Sequence, residues 1–166
     1  GFPHHSIENY LPKLVKAGNR VAVCDQLEDP KLTKKIVKRG VTEIVTPGIA
    51  INDGVLDQKK NNYLASVHIE KNEFGISFLD VSTGDFYVSQ GDLKLIDQLI
   101  SNFSPNEILV SEPSKNKFFE LLGNSYNVYP LDDWVYDNSY SENKLLNHFN
   151  TKSLKGFGVE DIKLGA

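Results

Sequence analysis

The chain has 166 residues, a net charge of −4, 40% hydrophobic and 24% charged residues, the composition of a globular protein long enough for one domain or for one domain and part of another. No apolar run is long enough to cross a bilayer as a helix, and the acidic balance excludes a whole-domain basic footprint for nucleic acid. The single cysteine excludes an internal disulfide framework and fits a reducing cytoplasm, while a first residue that is Gly rather than Met predicts a piece of a longer protein.

Ser6 is a candidate N-cap, after which Ile7, Tyr10, Leu11, Leu14 and Val15 follow the i, i+3, i+4 spacing of a helix that stops at Gly18. Pro12 lies inside that pattern. An interior proline loses a backbone hydrogen bond and costs about 3 kcal/mol, so a bend or a late helix start is expected. Arg20 to Gln26 reads as a buried strand with Cys24 as a small core residue, ending in Glu28-Asp29-Pro30. A basic run, Lys31, Lys34, Lys35, Lys38 and Arg39, precedes a second strand from Val41 to Thr46 that Pro47-Gly48 stops. Ile49 to Asn61 has the composition of a linker and marks a domain boundary. One helix and two strands cannot bury a self-sufficient core, so the first fifty residues predict an N-terminal truncation.

From Asn62 to Gln90 the chain reads as a three-stranded antiparallel meander. Tyr63, Ala65, Val67 and Ile69 alternate with polar neighbours, Ile76 to Val81 is almost continuously apolar, and Phe86 to Val88 follow the Thr83-Gly84 turn. Asp92 to Phe103 is an amphipathic helix with Leu95, Ile96, Leu99, Ile100 and Phe103 on one face. Glu107 to Ser111 is a short strand reached by a helical crossover, which predicts parallel or mixed pairing. Ser114 to Leu122 is a helix turning Phe118, Leu121 and Leu122 inward, Asn127 to Leu131 an edge strand because of Pro130, and the tail is helical with Leu145, Leu146 and Phe149 as its stripe. This order, β-β-β-α-β-α-β-α, is that of a ribonuclease-H-like α/β fold with a mixed sheet.

Such a scaffold makes Asp80, Asp85, Asp92 and Glu107 candidates for a two-metal nuclease, whose carboxylates must converge on ions about 3.5–4 Å apart. Nothing in the spacing places a third carboxylate near both Asp80 and Asp85. The favoured reading is that Asp85 supports its turn and that backbone or hydroxyl groups of Ser82 or Thr83 hold Asp80. His4 and His5 have no acid presented to them and read as capping or surface residues. One cysteine and scattered histidines, among them His68 and His148, exclude a structural zinc site. No Walker A sequence is present, and Gly156-Phe157-Gly158 lacks the third glycine of a dinucleotide fingerprint. The basic run reads first as a solvated face. Its alternative is sequence-independent contact with a phosphate backbone, without the interleaved aromatics that stack on unpaired bases.

Several stretches together resemble the bacterial MutS family of mismatch-repair proteins. Gly1-Phe-Pro-His-His-Ser-Ile-Glu-Asn-Tyr-Leu11, Ala17-Gly-Asn-Arg-Val-Ala-Val-Cys-Asp-Gln26, Val37-Lys-Arg-Gly-Val-Thr-Glu-Ile-Val-Thr-Pro-Gly48, Leu79-Asp-Val-Ser-Thr-Gly-Asp-Phe86 and Leu154-Lys-Gly-Phe-Gly-Val159 are similar to family signatures and occur in family order. Pro12 and the His5-Ser6 pair depart from the pattern. The resemblance implies that residues 1–52 are the C-terminal part of a mismatch-recognition domain, 53–61 a linker, and 62–166 a ribonuclease-H-like connector without hydrolytic activity. It also implies that the family's Phe-x-Glu mismatch wedge precedes this stretch, so Phe118-Phe119-Glu120 is not the wedge. No catalytic residue, metal site or cofactor is implied here; ATP and Mg belong to the full-length protein. The implied partners are mismatched double-stranded DNA, a second subunit and MutL. By matching position Arg39, then Lys38, are the residues nearest DNA, and Glu142, Asn143 and Lys144 are assigned to the partner surface.

Overall fold

The computed structural model describes residues 1–32, 36–49, 61–159, 161–162 and 164. Most of the expected linker, and Lys34 and Lys35 of the basic run, lie outside the described residues, as does the side chain of His4.

A single 3-10 turn, His4–Ser6, leads into helix α1, Ile7–Lys16. Ser6 precedes the helix, but its hydroxyl makes no capping bond. Pro12 neither delays the start nor splits the element, contrary to expectation. Leu11 and Val15 are buried on one side of it against Val45, and that packing holds the turn whose hydrogen bond Pro12 cannot make. Gly18 ends the helix at φ +83°, and the Asn19 N–H turns back to the Leu14 carbonyl at 3.0 Å.

Strands β1, Val21–Gln26, and β2, Arg39–Val45, form an antiparallel pair. The expected buried strand is instead half-exposed, with alternate residues turned to solvent. Cys24 is on the exposed side and is not a core residue. A two-stranded sheet has two faces and α1 covers one of them, so an apolar run here does not mean burial on both sides.

The second unit is a five-stranded mixed sheet in the order β5-β4-β3-β6-β7. Strands β3 (Tyr63–Glu70), β4 (Glu73–Asp80) and β5 (Asp85–Gly91) are the antiparallel meander, with Gly84 at φ +80° in the second turn. Strand β6 (Glu107–Ser111) is parallel to β3, and β7 (Val128–Leu131) is parallel to β6 at the sheet edge, where Pro130 is tolerated. Helix α2, Leu93–Phe103, begins at Asp92, whose carboxylate accepts the Leu95 N–H at 2.9 Å. Ile96 and Ile100 of α2, with Phe118 of helix α3 (Lys115–Leu122), close a core over Ala65, Val67, Ile76, Phe78, Ile108 and Val110. Leu121, expected inside, is 39% exposed: the two-turn helix buries Phe118 and turns Phe119 and Leu122 partly against the core, leaving Leu121 at the edge of that contact. The opposite sheet face carries Ser66, His68 and Ser77 beside the 3-10 turn Asp133–Tyr136 and helix α4, Asn138–His148.

Candidate functional site

Each carboxylate that the sequence offers for metal chemistry has other work. Asp80, fully buried at the end of β4, accepts the Asn62 N–H on Oδ2 at 3.0 Å. Its Oδ1 accepts the Ser82 N–H at 2.9 Å and the Ser82 hydroxyl at 2.6 Å. Burial pushes its pKa up, but the bonds from the Ser82 hydroxyl and the N–H groups of Ser82, Asn62 and Thr83 outweigh it and hold the group below the ordinary 3.8. Asp85 pairs with the Thr83 hydroxyl at 2.8 Å within its turn, and Asp92 caps α2. Among the described residues no three His, Cys, Asp or Glu side chains gather as metal ligands.

Asp80 therefore knots the β4–β5 turn to the entry of β3. Asp80→Asn replaces a carboxylate that accepts from the Ser82 hydroxyl and from the N–H groups of Ser82, Asn62 and Thr83 by an amide whose NH₂ confronts N–H donors, and about 1–3 kcal/mol of stability should be lost. Because the folded pKa is depressed, this contribution is complete above the unfolded carboxylate's pKa and disappears as pH falls through the lower folded value. Urea unfolding should separate the two proteins at pH 7, with the gap narrowing as the pH falls below the ordinary 3.8; a gap that does not change with pH would refute this account.

The residues assigned to DNA lie at the end of the β1–β2 pair where the two strands are connected. Arg39 begins β2 opposite Gln26, with its side chain exposed. Lys38 is also exposed, but its ammonium lies 3.6 Å from Glu28 Oε1 and its N–H reaches Glu28 Oε2 at 3.5 Å. Lys38 thus has one solvent-exposed ion-pair partner, whereas Arg39 faces solvent. Glu142, Asn143 and Lys144 occupy the exposed side of α4; Asn143 Nδ2 donates to the Ser139 carbonyl at 2.7 Å and Lys144 Nζ lies 5.4 Å from the Tyr140 ring centre. The structure does not bring the two groups together.

Between the sheet and the 3-10 turn before α4 lies a cavity of about 190 Å³ lined by Ser66, His68, Ser77, Tyr136 and Ser141 among others. His68 Nδ1 is buried without a protein partner, its ring stacked 5.6 Å from that of Tyr136. Burial pushes the Tyr136 phenol up to about 12, against the lowering effect of the Ser66 hydroxyl that donates to its oxygen at 3.2 Å, so the phenol keeps its proton. Leu109, Leu131, Val135 and Leu164 complete its walls, so polar groups and apolar side chains share the lining.

The contacts that sequence reading missed join the two units. Glu107, at the start of β6 and 1% exposed, accepts the Thr46 hydroxyl and, at 3.1 Å, the Gly48 N–H on Oε2. Its Oε1 lies 3.7 Å from Arg20 Nε, and the Arg20 guanidinium covers the Tyr129 ring at 3.5 Å from its centre. Thr46 is as buried as its acceptor. Pro47-Gly48 is legible in the sequence as a strand stop; that the turn seats against β6 is not, because no local pattern relates residues 59 and 61 positions apart.

Residues 1–54 match the family model described as MutS domain I, and residues 62–166 match that described as MutS domain II. Over 165 residues, 99% of this chain, it is 58% identical to the DNA mismatch repair protein MutS of Parabacteroides distasonis, 59% to that of Flavobacterium psychrophilum and 56% to that of Bacteroides fragilis. Each alignment covers 19% of the relative, so the chain spans about a fifth of the length of these proteins.

Proposed function

Since the chain belongs to the MutS family, we propose that it is the stretch of a mismatch-repair protein that couples DNA reading to the remainder of the molecule. In this reading residues 1–52 are the C-terminal part of the mismatch-recognition domain, 53–61 a linker, and 62–166 a connector of ribonuclease-H-like fold. The observation that carries it is the seam: two units matching successive family domains meet through directional buried contacts on Glu107. The sheet order, an antiparallel meander extended by two parallel strands, supports the fold assignment.

The connector is then a passive element. Binding of mismatched duplex, pairing with a second subunit, ATP and Mg use, and recruitment of MutL in the cytoplasm belong to the full-length protein. Arg39 is the residue of this chain set nearest the phosphate backbone, with Lys38 second because Glu28 pairs with it. The exposed side of α4 at Glu142, Asn143 and Lys144 is the MutL-facing surface. The alternative of a metal-dependent nuclease lacks support, since Asp80 and Glu107 are each committed to holding backbone and hydroxyl groups.

In the full-length protein, Arg39→Ala should weaken binding to matched and mismatched duplex alike and flatten the salt dependence by about one phosphate contact. Fluorescence anisotropy across a salt series measures both. Unchanged affinity would remove Arg39 from the DNA face. Metal-dependent cleavage of DNA by the 166-residue chain that vanished in Asp80→Asn would overturn the non-catalytic reading.

A further inference from the structure

We propose that Glu107 is the positioning residue that sets the angle between the β1–β2 unit and the five-stranded sheet, and that Arg20 is the half of this joint that can let go. The orienting role stands on geometry; its consequence for mismatch signalling rests on the function proposed above.

The two oxygens of Glu107 are used differently. Oε2 receives Thr46 and Gly48 from the turn directly after β2, and all three residues are buried. Hydrogen bonds from an O–H and an N–H fix direction, whereas apolar contact alone would let the two surfaces slide. A buried carboxylate cannot surrender these donors without being left unpaired, so this half is held shut. Gly48 enforces the fit: a Cβ there would stand 3.1 Å from Glu107 Cβ and 3.0 Å from Leu64 Cβ. Glu107 is paired with Leu64 in the β3–β6 register, so the turn rests on the ends of the two central strands.

The other half is built to lower tolerance. Arg20 faces Oε1 at 3.7 Å, longer than a charge-assisted hydrogen bond, and its side chain keeps 32% of its exposure. Its second contact is the face of Tyr129 in the edge strand, a ring that is itself 39% exposed. Water competes for Arg20 and not for Thr46. The joint is thus a buried pivot at Glu107–Thr46–Gly48 with a clasp at Arg20–Tyr129, and when the clasp opens the hairpin swings about the pivot. Movement at its far end, where Arg39 pairs with Gln26 beside the connection between the strands, reaches β6 and β3 through Glu107.

The lone cysteine supplies the test. Cys24 is exposed on β1, and Asn147→Cys adds a second exposed site on α4. With nitroxides on both, the 166-residue chain should give one narrow distance distribution by double electron–electron resonance. Arg20→Gln should broaden it, and so should Glu107→Gln, whose amide oxygen can still accept from Thr46 and Gly48 but which no longer carries the charge that faces Arg20. Hydrogen exchange at Val67 and Ile100 should stay slow in both, reporting an intact sheet; should Glu107→Gln lose that protection, Arg20→Gln and Thr46→Val, which leave the carboxylate in place, decide the matter. A wild-type distribution in every folded variant would overturn the proposal. If the distances broaden but the same change in the full-length protein leaves its ATP response to mismatched DNA untouched, Glu107 still sets the angle and the coupling function fails instead.

Discussion

Phe78→Ala should bring the five-stranded unit close to unfolding. Phe78 is 2% exposed on β4, stacks on Phe103 of α2 with ring centres 4.2 Å apart, and meets the edge of Tyr63 on β3 at 6.2 Å. It therefore ties the meander to the helix that covers it. Removing a buried phenylalanine forfeits its transfer energy and leaves a cavity that a sheet cannot collapse to fill, at a cost of about 3–5 kcal/mol. Domains of this kind have only about 5–15 kcal/mol in total. At about 4–8 °C per kcal/mol for a unit of this size, the melting temperature should fall on the order of 15–30 °C. Circular dichroism melts read this directly, and the urea midpoint should fall without a change in slope. Phe78→Leu, which keeps most of the volume, should be much milder. A shift of a degree or two in the alanine variant would mean that Phe78 is not the link between sheet and α2.

Gly48→Ala is expected to disturb the seam while leaving the five-stranded sheet folded. The new Cβ would lie 2.7 Å from Leu64 Cδ1, 3.0 Å from Leu64 Cβ and 3.1 Å from Glu107 Cβ. The Leu64 methyl can rotate away, but the two Cβ atoms are fixed to the adjoining strands β3 and β6, so the turn itself must lift. Overpacking of this sort costs about 1–3 kcal/mol. The Gly48 N–H survives the change, so the loss reports sterics and not a missing donor. Leu64→Gly should cost less in the Gly48→Ala background than alone, because it removes one of the two Cβ atoms in the way; a double-mutant cycle by urea unfolding measures that coupling. Strict additivity would show that Gly48 and Leu64 do not share the crowded contact.

Much of the architecture was legible locally. The alternation of Tyr63, Ala65, Val67 and Ile69, the turn glycine at Gly84 and the proline in β7 specify strands, a hairpin and an edge by rules that act over a few residues. Asp80 was legible too, since a carboxylate two residues before a serine invites a local hydrogen bond. The misreadings share a cause. Pro12 inside α1, Cys24 on an open strand face and Leu121 outside the core each depend on what lies across from the element. Their neighbours Leu11, Val15 and Phe118 were read correctly because they lie on the stripes their own helices bury.

The sequence by itself determined the strands, helices and turns, the family and the order of its two domains, because periodicity, turn chemistry and motif order are properties of neighbouring residues. Only the tertiary structure decided that Glu107, weighed as a metal ligand, holds Thr46 and Gly48 and faces Arg20. That choice follows from parallel β3–β6 pairing, which carries the start of β6 to the turn after β2. A buried carboxylate takes whichever donors the packing brings to it, and no spacing along the chain says which those will be.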